Sequence, residues 1–276
     1  METTYFVPTW ISKNKIIIKI MLIKHIHNIA DIVKTQIDFD KSIARQYYQE
    51  RQSNHYQAAF EKKEPLVSIC IGTYNREELL LERTVPSILG QTYKNIEVII
   101  VGDHCTDNTF DKLSKINDKR LVLHNLQSRG EYPVNPKHRW MVAGTTPFNH
   151  ALKLSSGDFI THIDDDDEYT PDRIEKLIGF ALNEKIEFVW HPFYMQDADY
   201  NWYIRECMDF QKGSITTSSC FYHHWFKNVP WDINAWKLNE PGDWNRFRKI
   251  RHLKPKAALF NEVLLYHYRE KSQETS

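Results

Sequence analysis

Residues Phe159–Tyr169 read FITHIDDDDEY, an apolar, β-branched run that leads directly into five consecutive carboxylates, Asp164–Glu168. The apolar part predicts a buried strand that ends at Asp164. Like charges this close raise one another's pKa and cost free energy unless a cation neutralises them. In open α/β sheets, ligand sites lie outside the carboxyl ends of strands. The stretch therefore predicts an α/β sheet with a site for a hard divalent ion such as Mg²⁺, Mn²⁺ or Ca²⁺. A solvated acidic loop is the alternative.

Strands and helices alternate along the rest of the chain. Short apolar runs predict further strands at Leu66–Ile71, Ile96–Val101, Arg120–His124 and Ile186–His191. The run IEVIIV is typical of a parallel strand that is covered on both faces. Strands separated by helical segments predict a doubly wound, mostly parallel sheet flanked by helices.

The other predicted elements connect these strands. They are helices over Arg76–Leu89, Asn149–Ser155, Thr170–Asn183 and from Asp243, a long ordered loop over Ser128–Pro147, aromatic hairpins near Phe193–Ile204 and Ile215–Phe226, and a last strand over Ala258–Tyr268.

The first part of the chain differs from the remainder. Residues 1–64 predict a helical N-terminal extension without chemistry of its own, and residues 65–276 predict the main domain. The segment Ile16–Ile32 is apolar but is interrupted by Lys19 and Lys24, so it is too short to span a bilayer, which takes about 20 apolar residues. It also lacks the cleavage site of a signal peptide. We expect these helices to pack on the main domain or a partner chain; the alternative is a contact with a membrane surface.

Composition excludes some classes of partner. The formal net charge is zero, which gives no general attraction to nucleic acid. The four cysteines show no metal-type spacing, so a reducing, cytoplasmic setting is expected, with an alternative location at the inner face of a membrane.

Three segments together resemble a known family. The stretch VSICIGTYNREELLLERTVPSILGQTYKNIEVIIVGDHCTDNT is similar to the start of family 2 glycosyltransferases, which have the GT-A fold. In the turn Gly102–Asp107, glycine replaces the family's usual first aspartate, and cysteine replaces its serine. The later segment around Asp164-Asp165-Asp166 resembles the family's D-x-D motif, and Pro241-Gly242-Asp243-Trp244 resembles its E-D or G-D motif. The resemblance covers about Leu66 to Tyr268.

The resemblance implies an inverting, metal-dependent glycosyltransferase. Its donor would be a nucleoside-diphosphate sugar, first of all a UDP-sugar, and its acceptor a glycan or a lipid-linked or protein-linked sugar. The implied cofactor is Mn²⁺ or Mg²⁺. Asp166 would be a direct metal ligand, with Asp164 and Asp165 near the metal and the ribose hydroxyls.

The same resemblance implies a nucleotide pocket. Asp103 would accept a hydrogen bond from the base; the alternative is an Asx turn or a helix cap. Thr73, Tyr74 and Asn75 would line the pocket, or form a plain turn. Arg129 and Arg139 are candidates to meet the pyrophosphate, Arg139 being the one we predict, with surface ion pairing as the alternative for each.

Two residues near the end of the chain complete the predicted site. Asp243 is the candidate base that takes the proton of the acceptor hydroxyl, with Glu240 in reserve; the alternative is that Asp243 only caps a helix. His267 is a candidate metal or pyrophosphate contact, against a structural role in its strand.

Two rival classes of protein are weaker. A sugar-nucleotide-forming nucleotidyltransferase would carry a glycine-rich, lysine-bearing phosphate loop after the first strand, whereas GTYNREE has one glycine and no lysine. A non-catalytic sugar or nucleotide binder would not need both the acidic cluster and Asp243.

Overall fold

The computed structural model describes Lys19, Ile23, Ile26 and residues 29–269. It has two compact units, Met1–Asp40 and Lys41–Ser276. In the first unit, residues 29–38 are helical and carry exposed isoleucines; most of the predicted segment Ile16–Ile32 lies outside the described residues. None of the helices described is long and apolar enough to cross a bilayer. The domain boundary at residue 64 stays a prediction.

The second unit is built on a seven-stranded sheet in the order β10-β6-β9-β4-β1-β2-β3. Its strands are β1 (Val67–Thr73), β2 (Ile96–Gly102), β3 (Leu121–Asn125), β4 (Phe159–His162), β6 (Phe188–Trp190), β9 (Cys220–His223) and β10 (Ala257–Leu259). All neighbours are parallel except β9, which runs antiparallel to both β4 and β6. The predicted mostly parallel α/β sheet is therefore confirmed.

A smaller four-stranded sheet has the order β5-β11-β7-β8. It consists of β5 (Glu168–Tyr169), β7 (Phe193–Gln196), β8 (Trp202–Arg205) and β11 (Leu265–His267). Strand β5 follows the acidic residues directly and pairs antiparallel with β11. The acidic loop is thus joined to the C-terminal end of the fold.

Helices connect and cover the strands. They are α1 (Lys41–Glu50), α2 (Asn54–Ala58), α3 (Glu77–Leu79), α4 (Val85–Leu89), α5 (Thr109–Leu113), α6 (Pro136–Val142), α7 (Thr145–Leu154), α8 (Arg173–Glu184) and α9 (Gly242–His252). A π-helical turn, Leu80–Thr84, joins α3 to α4, and short 3₁₀ turns occupy Thr217–Ser219, His224–Asn228 and Ala235–Leu238.

The core lies in the central strands, as their sequences predict. Every residue of Val98–Val101 in β2 is fully buried, and so are Ile69, Cys70 and Ile71 in β1. Strands covered on both faces need apolar side chains at consecutive positions rather than alternate ones. The apolar runs that predict β1 and β2 therefore form the core of the large sheet.

Helices α1 and α2 pack against β9 and against the residues next to β9 and β6. Tyr56 stacks on His223 of β9, with ring centroids 3.8 Å apart, and the Tyr47 ring lies 4.9 Å from that of Trp225. Both tyrosine hydroxyls donate to the carboxylate of Glu187, just before β6. Arg51 adds two hydrogen bonds of 2.8 and 2.6 Å to the same carboxylate. These helices therefore belong to the folded core of the second unit.

Three predicted elements differ from the structure. The predicted hairpin near Ile215–Phe226 is a 3₁₀ turn followed by the single strand β9. The predicted loop Ser128–Pro147 contains helix α6, which begins at Pro136 after the N-cap Asn135. The predicted last strand over Ala258–Tyr268 is divided between β10 and β11, which lie in different sheets.

Candidate active site

A large cleft opens at the carboxyl ends of β1, β2 and β4. Its volume is about 1040 Å³, which is enough for a ligand larger than a typical drug molecule. The predicted site residues that line it are Thr73, Tyr74, Asp103, Arg139, Asp164, Asp165, Asp166, Asp243 and His267. Because parallel strands end at the same edge of a sheet, residues far apart in sequence meet here.

The acidic loop after β4 is held in place by residues from distant parts of the chain. The hydroxyl of Ser218 accepts from the backbone N–H of Asp164 at 3.0 Å and donates to Asp167 Oδ2 at 2.6 Å. Asp167 is fully buried, and its Oδ1 lies 2.9 Å from His267 Nδ1. One residue of the C-terminal strand is thereby fixed against the loop.

The end of β1 and the helical segment after it bind the other side of the acidic loop. Thr73 Oγ1 donates to Asp165 at 2.7 Å, and Arg76 lies 3.2 Å from a carboxylate oxygen of Asp166. In the π-helical turn, Arg83 donates to the carbonyl of Asp166 and Thr84 to the carbonyl of Asp167, at 2.7 and 2.9 Å. Such turns are frequent at functional sites. Here it places two consecutive side chains against consecutive carbonyls.

The pKa values of Asp164, Asp165 and Asp166 in the loop are raised, so these three carboxylates resist ionisation. Burial, together with the charges of Asp167 and Asp166, raises the pKa of Asp164 well above its ordinary value. Burial and the neighbouring aspartates raise the pKa of Asp166 to about 7. Burial opposes a charge on His267, but the surrounding carboxylates outweigh it and raise its pKa to about 10. Positive charge is therefore favoured at this point of the cleft.

The donor atoms present fit a divalent metal ion. One ligand atom from each of Asp164, Asp167 and His267 lies within 4.8 Å of the other two. Carboxylate oxygens suit both Mg²⁺ and Mn²⁺, and the imidazole nitrogen favours Mn²⁺ over Mg²⁺. The Asp167–His267 contact also matches the carboxylate partner that orients most metal-binding histidines.

A second group of residues lies at the ends of β1 and β2. Asp103 is 3% exposed, and its Oδ1 accepts from the backbone N–H of Gly130 at 2.9 Å. The guanidinium of Arg129 lies 3.7 Å from the other carboxylate oxygen and 3.6 Å from the centre of the Tyr74 ring. An aromatic ring, a guanidinium plane and a carboxylate acceptor together can stack on and hydrogen-bond a nucleobase.

The turn after β2 has no room for a side chain at Gly102. A Cβ atom there would lie 2.3 Å from Phe110 and 2.5 Å from the side-chain oxygen of Asn125. Asn125 uses that oxygen to accept from the backbone N–H of Cys105 at 2.8 Å. The packing of Phe110 and Asn125 against Gly102 therefore explains why this position is glycine and not the aspartate that the family usually has.

Asp243 and Glu240 have different surroundings. Glu240 is fully buried and bonded to Arg248 and Asn245. Asp243 lines the cleft in the first turn of α9 and accepts from the backbone N–H of Trp244 at 2.6 Å. Burial raises the pKa of Asp243 to about 6. Of the two carboxylates, only Asp243 is placed to accept a proton from a ligand in the cleft.

The amino-acid sequence of this region matches a known family. Residues 68–219, more than half of the chain, match Glycosyl transferase family 2. The chain belongs to glycosyl transferase family 2.

A curated relative gives a likeness in sequence. UDP-Glc:alpha-D-GlcNAc-diphosphoundecaprenol beta-1,3-glucosyltransferase WfaP of Escherichia coli is 37% identical over 132 residues, which are 48% of this chain and 47% of that protein. The chain thus spans about half the length of the curated relative it matches.

Solved structures confirm the GT-A type of fold. S. aureus TarS 1-349 in complex with UDP-GlcNAc superposes with a TM-score of 0.59 at 16% identity, over 74% of this chain and 59% of that one. The mannosyltransferase PcManGT from Pyrobaculum calidifontis, solved with GDP-Man and Mn2+, gives a TM-score of 0.51 at 15% identity, over 88% and 68% of the two chains.

Of the residues suggested by the likeness to family 2, Asn75 and the reserve base Glu240 do not line the cleft. The side-chain oxygen of Asn75 accepts from the backbone N–H of Thr106 at 2.9 Å, so Asn75 braces the turn after β2. Arg139 lines the cleft but donates to the carbonyls of Pro133 and Val134 in its own loop. The roles of all these residues stay predictions.

The sequence does not reveal every residue of the site. It predicts Arg139 rather than Arg129 for the pyrophosphate, and it does not distinguish Asp167 from the aspartates before it. Nothing in the local sequence marks Arg76 or Ser218, because their partners lie 90 and 51 positions away.

Proposed function

We propose that this member of family 2 transfers a sugar from a nucleoside-diphosphate donor to an acceptor hydroxyl, with inversion and with the help of Mn²⁺ or Mg²⁺. The observation that carries the proposal is the single cleft that Asp103, Asp164, His267 and Asp243 all line. A nucleobase site, a cation site and a base are the three parts that this reaction needs.

The nucleotide would lie over the ends of β1 and β2. Tyr74 and Arg129 would stack on the base, and Asp103 would accept its N–H. We infer a UDP-sugar, since a carboxylate acceptor suits the N–H of uracil; the names of WfaP and of the TarS complex are consistent with this.

The diphosphate would lie over the acidic loop. We propose Asp164 and His267 as metal ligands, with Asp167 orienting the imidazole through Nδ1. Asp166, the ligand implied by the sequence, lines the same cleft beside Arg76 and remains a candidate. A divalent ion bound there supplies Lewis-acid neutralisation of the diphosphate as negative charge develops on it.

Asp243 would act at the acceptor. Its carboxylate takes the proton of the acceptor hydroxyl while that oxygen attacks the anomeric carbon, and the bond from that carbon to the diphosphate oxygen breaks. A single displacement with one base inverts the anomeric configuration. A pKa of about 6 leaves Asp243 ionised at neutral pH and still basic enough to accept a proton.

The acceptor and setting are proposed from the relatives. WfaP is named for a diphosphoundecaprenol-linked acceptor, so we propose a lipid-linked glycan as the acceptor and surface polysaccharide assembly as the process. We propose a cytoplasmic location, peripheral to the inner face of the membrane, which agrees with four free cysteine thiols. A protein-linked acceptor is the alternative.

A donor assay tests the proposal. We expect one nucleoside-diphosphate sugar to release its nucleoside diphosphate with Mn²⁺, and the release to stop after chelation and return on adding the metal. Asp164→Asn should lose metal-dependent turnover, whereas Asp111→Asn, at an exposed position of helix α5, should not. Release that survives exhaustive chelation would refute the metal role. Absence of release from every donor would favour a non-catalytic binder.

A further inference from the structure

The wall of the cleft on the side of the small sheet carries two cations, Arg205 at the end of β8 and Lys212 in the loop that follows. Among the described residues, both side chains bond only to backbone carbonyls. Arg205 donates to Gly213 at 3.1 and 2.5 Å, and Lys212 donates to Asn239 at 3.2 Å. No carboxylate among the described residues lies within ion-pair distance of Arg205 or Lys212.

Two other cations of the cleft are used differently. Arg76 is paired with Asp166, and Arg129 lies beside Asp103, so the protein already offsets their charges. Arg139 also lines the cleft, and it donates to carbonyls of its own loop. Arg205 and Lys212 are both exposed, and the acidic neighbours of this segment, Glu206 and Asp209, do not line the cleft. This wall therefore presents uncompensated positive charge to a ligand.

The position of Lys212 relates it to the acceptor. Its charge is close enough to Asp243 to lower the pKa of that carboxyl, against the larger effect of burial, but the two groups form no ion pair. An acceptor sugar whose hydroxyl meets Asp243 would direct its opposite side, including the anomeric substituent, along this wall. Without these two cations, an anionic substituent there would face the carboxylate of Asp243, which repels it.

Apolar side chains flank the cations. Strand β8 is the edge of the small sheet, and Tyr203, two positions before Arg205 on the same face of the strand, lines the cleft and is 40% exposed. Trp202 and Ile204, 42% and 50% exposed, lie on the opposite face of the same edge strand. Met208, shortly after the strand, is 64% exposed. Exposed apolar patches of this kind mark binding sites more often than ordinary surface. A ligand that is anionic at one end and hydrocarbon at the other matches the order of cations and apolar side chains.

We propose, building on the transfer reaction above, that Arg205 and Lys212 form the subsite for the diphosphate of a lipid-linked acceptor, and that the exposed edge of β8 contacts its hydrocarbon chain. The pair selects the acceptor and takes no part in binding the donor.

Binding of geranyl diphosphate to the full chain, saturated with UDP and Mn²⁺, tests this subsite by calorimetry. Geraniol and inorganic diphosphate serve as the two partial ligands. Lys212→Gln keeps a donor for the Asn239 carbonyl and removes the charge, so we expect it to weaken geranyl diphosphate binding about tenfold. Lys212→Arg should restore binding. Lys115→Ala, an exposed lysine outside the cleft, is the matched control.

The outcomes separate the alternatives. In support, geranyl diphosphate binds more tightly than either partial ligand, Arg205→Gln also weakens it, and the affinity for UDP is unchanged in every variant. Equal loss of UDP affinity would assign the pair to the donor and overturn the inference, as would undiminished binding in Lys212→Gln. Inorganic diphosphate binding as tightly as geranyl diphosphate would refute the lipid contact. If diphosphate binding depends on these residues but no donor is turned over, the transfer reaction fails and the subsite stands.

Discussion

At the scale of single residues, the distinction between Asp243 and Glu240 decides where the proton goes. The two carboxylates are three positions apart, yet Glu240 lies against the guanidinium of Arg248 at 2.8 Å, while Asp243 faces the cleft. A buried carboxylate that is already bonded to a guanidinium is not accessible to a ligand in the cleft. Glu240 is therefore better suited to hold the start of α9 than to replace Asp243.

Replacing Asp243 should remove catalysis and leave binding. Asp243→Asn retains a side-chain oxygen for the backbone N–H of Trp244, so the helix should be preserved. We expect kcat to fall by a factor of about 10² to 10⁴, the usual contribution of a general base, with the affinities for UDP and Mn²⁺ unchanged. Steady-state kinetics and calorimetry measure the two effects. A variant with wild-type kcat would remove Asp243 as the base.

The pH dependence of the reaction should report the same residue. Only the ionised carboxylate can accept a proton, and burial raises the pKa of Asp243 to about 6. We therefore expect kcat/KM, measured at saturating Mn²⁺, to rise as the pH increases through about 6 and then to level off. Asp243→Asn should lack this rising limb. A wild-type profile that is flat across this range would contradict the assignment.

At the scale of elements, helices α1 and α2 contribute to stability through one buried carboxylate. Glu187 accepts hydrogen bonds from Tyr47, Arg51 and Tyr56, and its side chain is 4% exposed. Removing it would leave a guanidinium and two hydroxyls without their acceptor. The element that the sequence suggested to be an appendage thus shares its main polar contact with the central sheet.

Glu187→Ala should lower the free energy of unfolding by about 3 kcal/mol. Glu187 does not line the cleft, so kcat of the folded protein should stay the same. Urea denaturation and the donor assay give the two values. Glu184→Ala, an exposed carboxylate at the end of α8, is the control. Equal stability of both variants would show that the contact contributes nothing.

The elements also show what the sequence could and could not predict. Strands β1, β2 and β4 were predictable because burial on both faces requires consecutive apolar residues. The hairpin of β7 and β8 was predictable because its strands are adjacent in sequence. Strand β9 was mistaken for part of a hairpin because its partners, β4 and β6, are distant in sequence. Local patterns do not specify such partners.

The same limit applies to the candidate site. The end of a buried strand predicted where the aspartates would lie, but not which of them would be buried. His267 is 100 positions from Asp167, and only the pairing of β5 with β11 brings the two together. That Gly102 leaves no space for a carboxylate depends on Phe110 and Asn125, whose packing the turn sequence does not reveal.

At the scale of the whole molecule, the acidic loop connects the two sheets. It leaves the large sheet at β4 and enters the small sheet at β5. A ligand that binds the loop therefore contacts both sheets. Because ligands that bind only the native state stabilise it, binding should be visible in global unfolding.

We expect UDP to raise Tm only when Mn²⁺ is present, because the diphosphate approaches carboxylates that repel it without the cation. The stabilisation should reach about 2.7 kcal/mol at a nucleotide concentration a hundredfold above Kd. A thermal-shift screen of UDP, GDP and ADP, each with metal and with chelator, measures this. Asp164→Asn should abolish the shift. An equal shift in chelator would mean that the nucleotide does not need the metal.

The π-helical turn between α3 and α4 limits which sequence changes the acidic loop can tolerate nearby. Its hydrogen bonds span one residue more than those of an α-helix, and the widened turn presents Arg83 and Thr84 to neighbouring carbonyls. Deleting a single residue there would leave a regular helix of similar composition but rotate both side chains away from the aspartates. The spacing within Leu80–Thr84 is therefore needed as much as the two donor side chains, so an insertion or deletion in this segment should be more damaging than a substitution at its other positions.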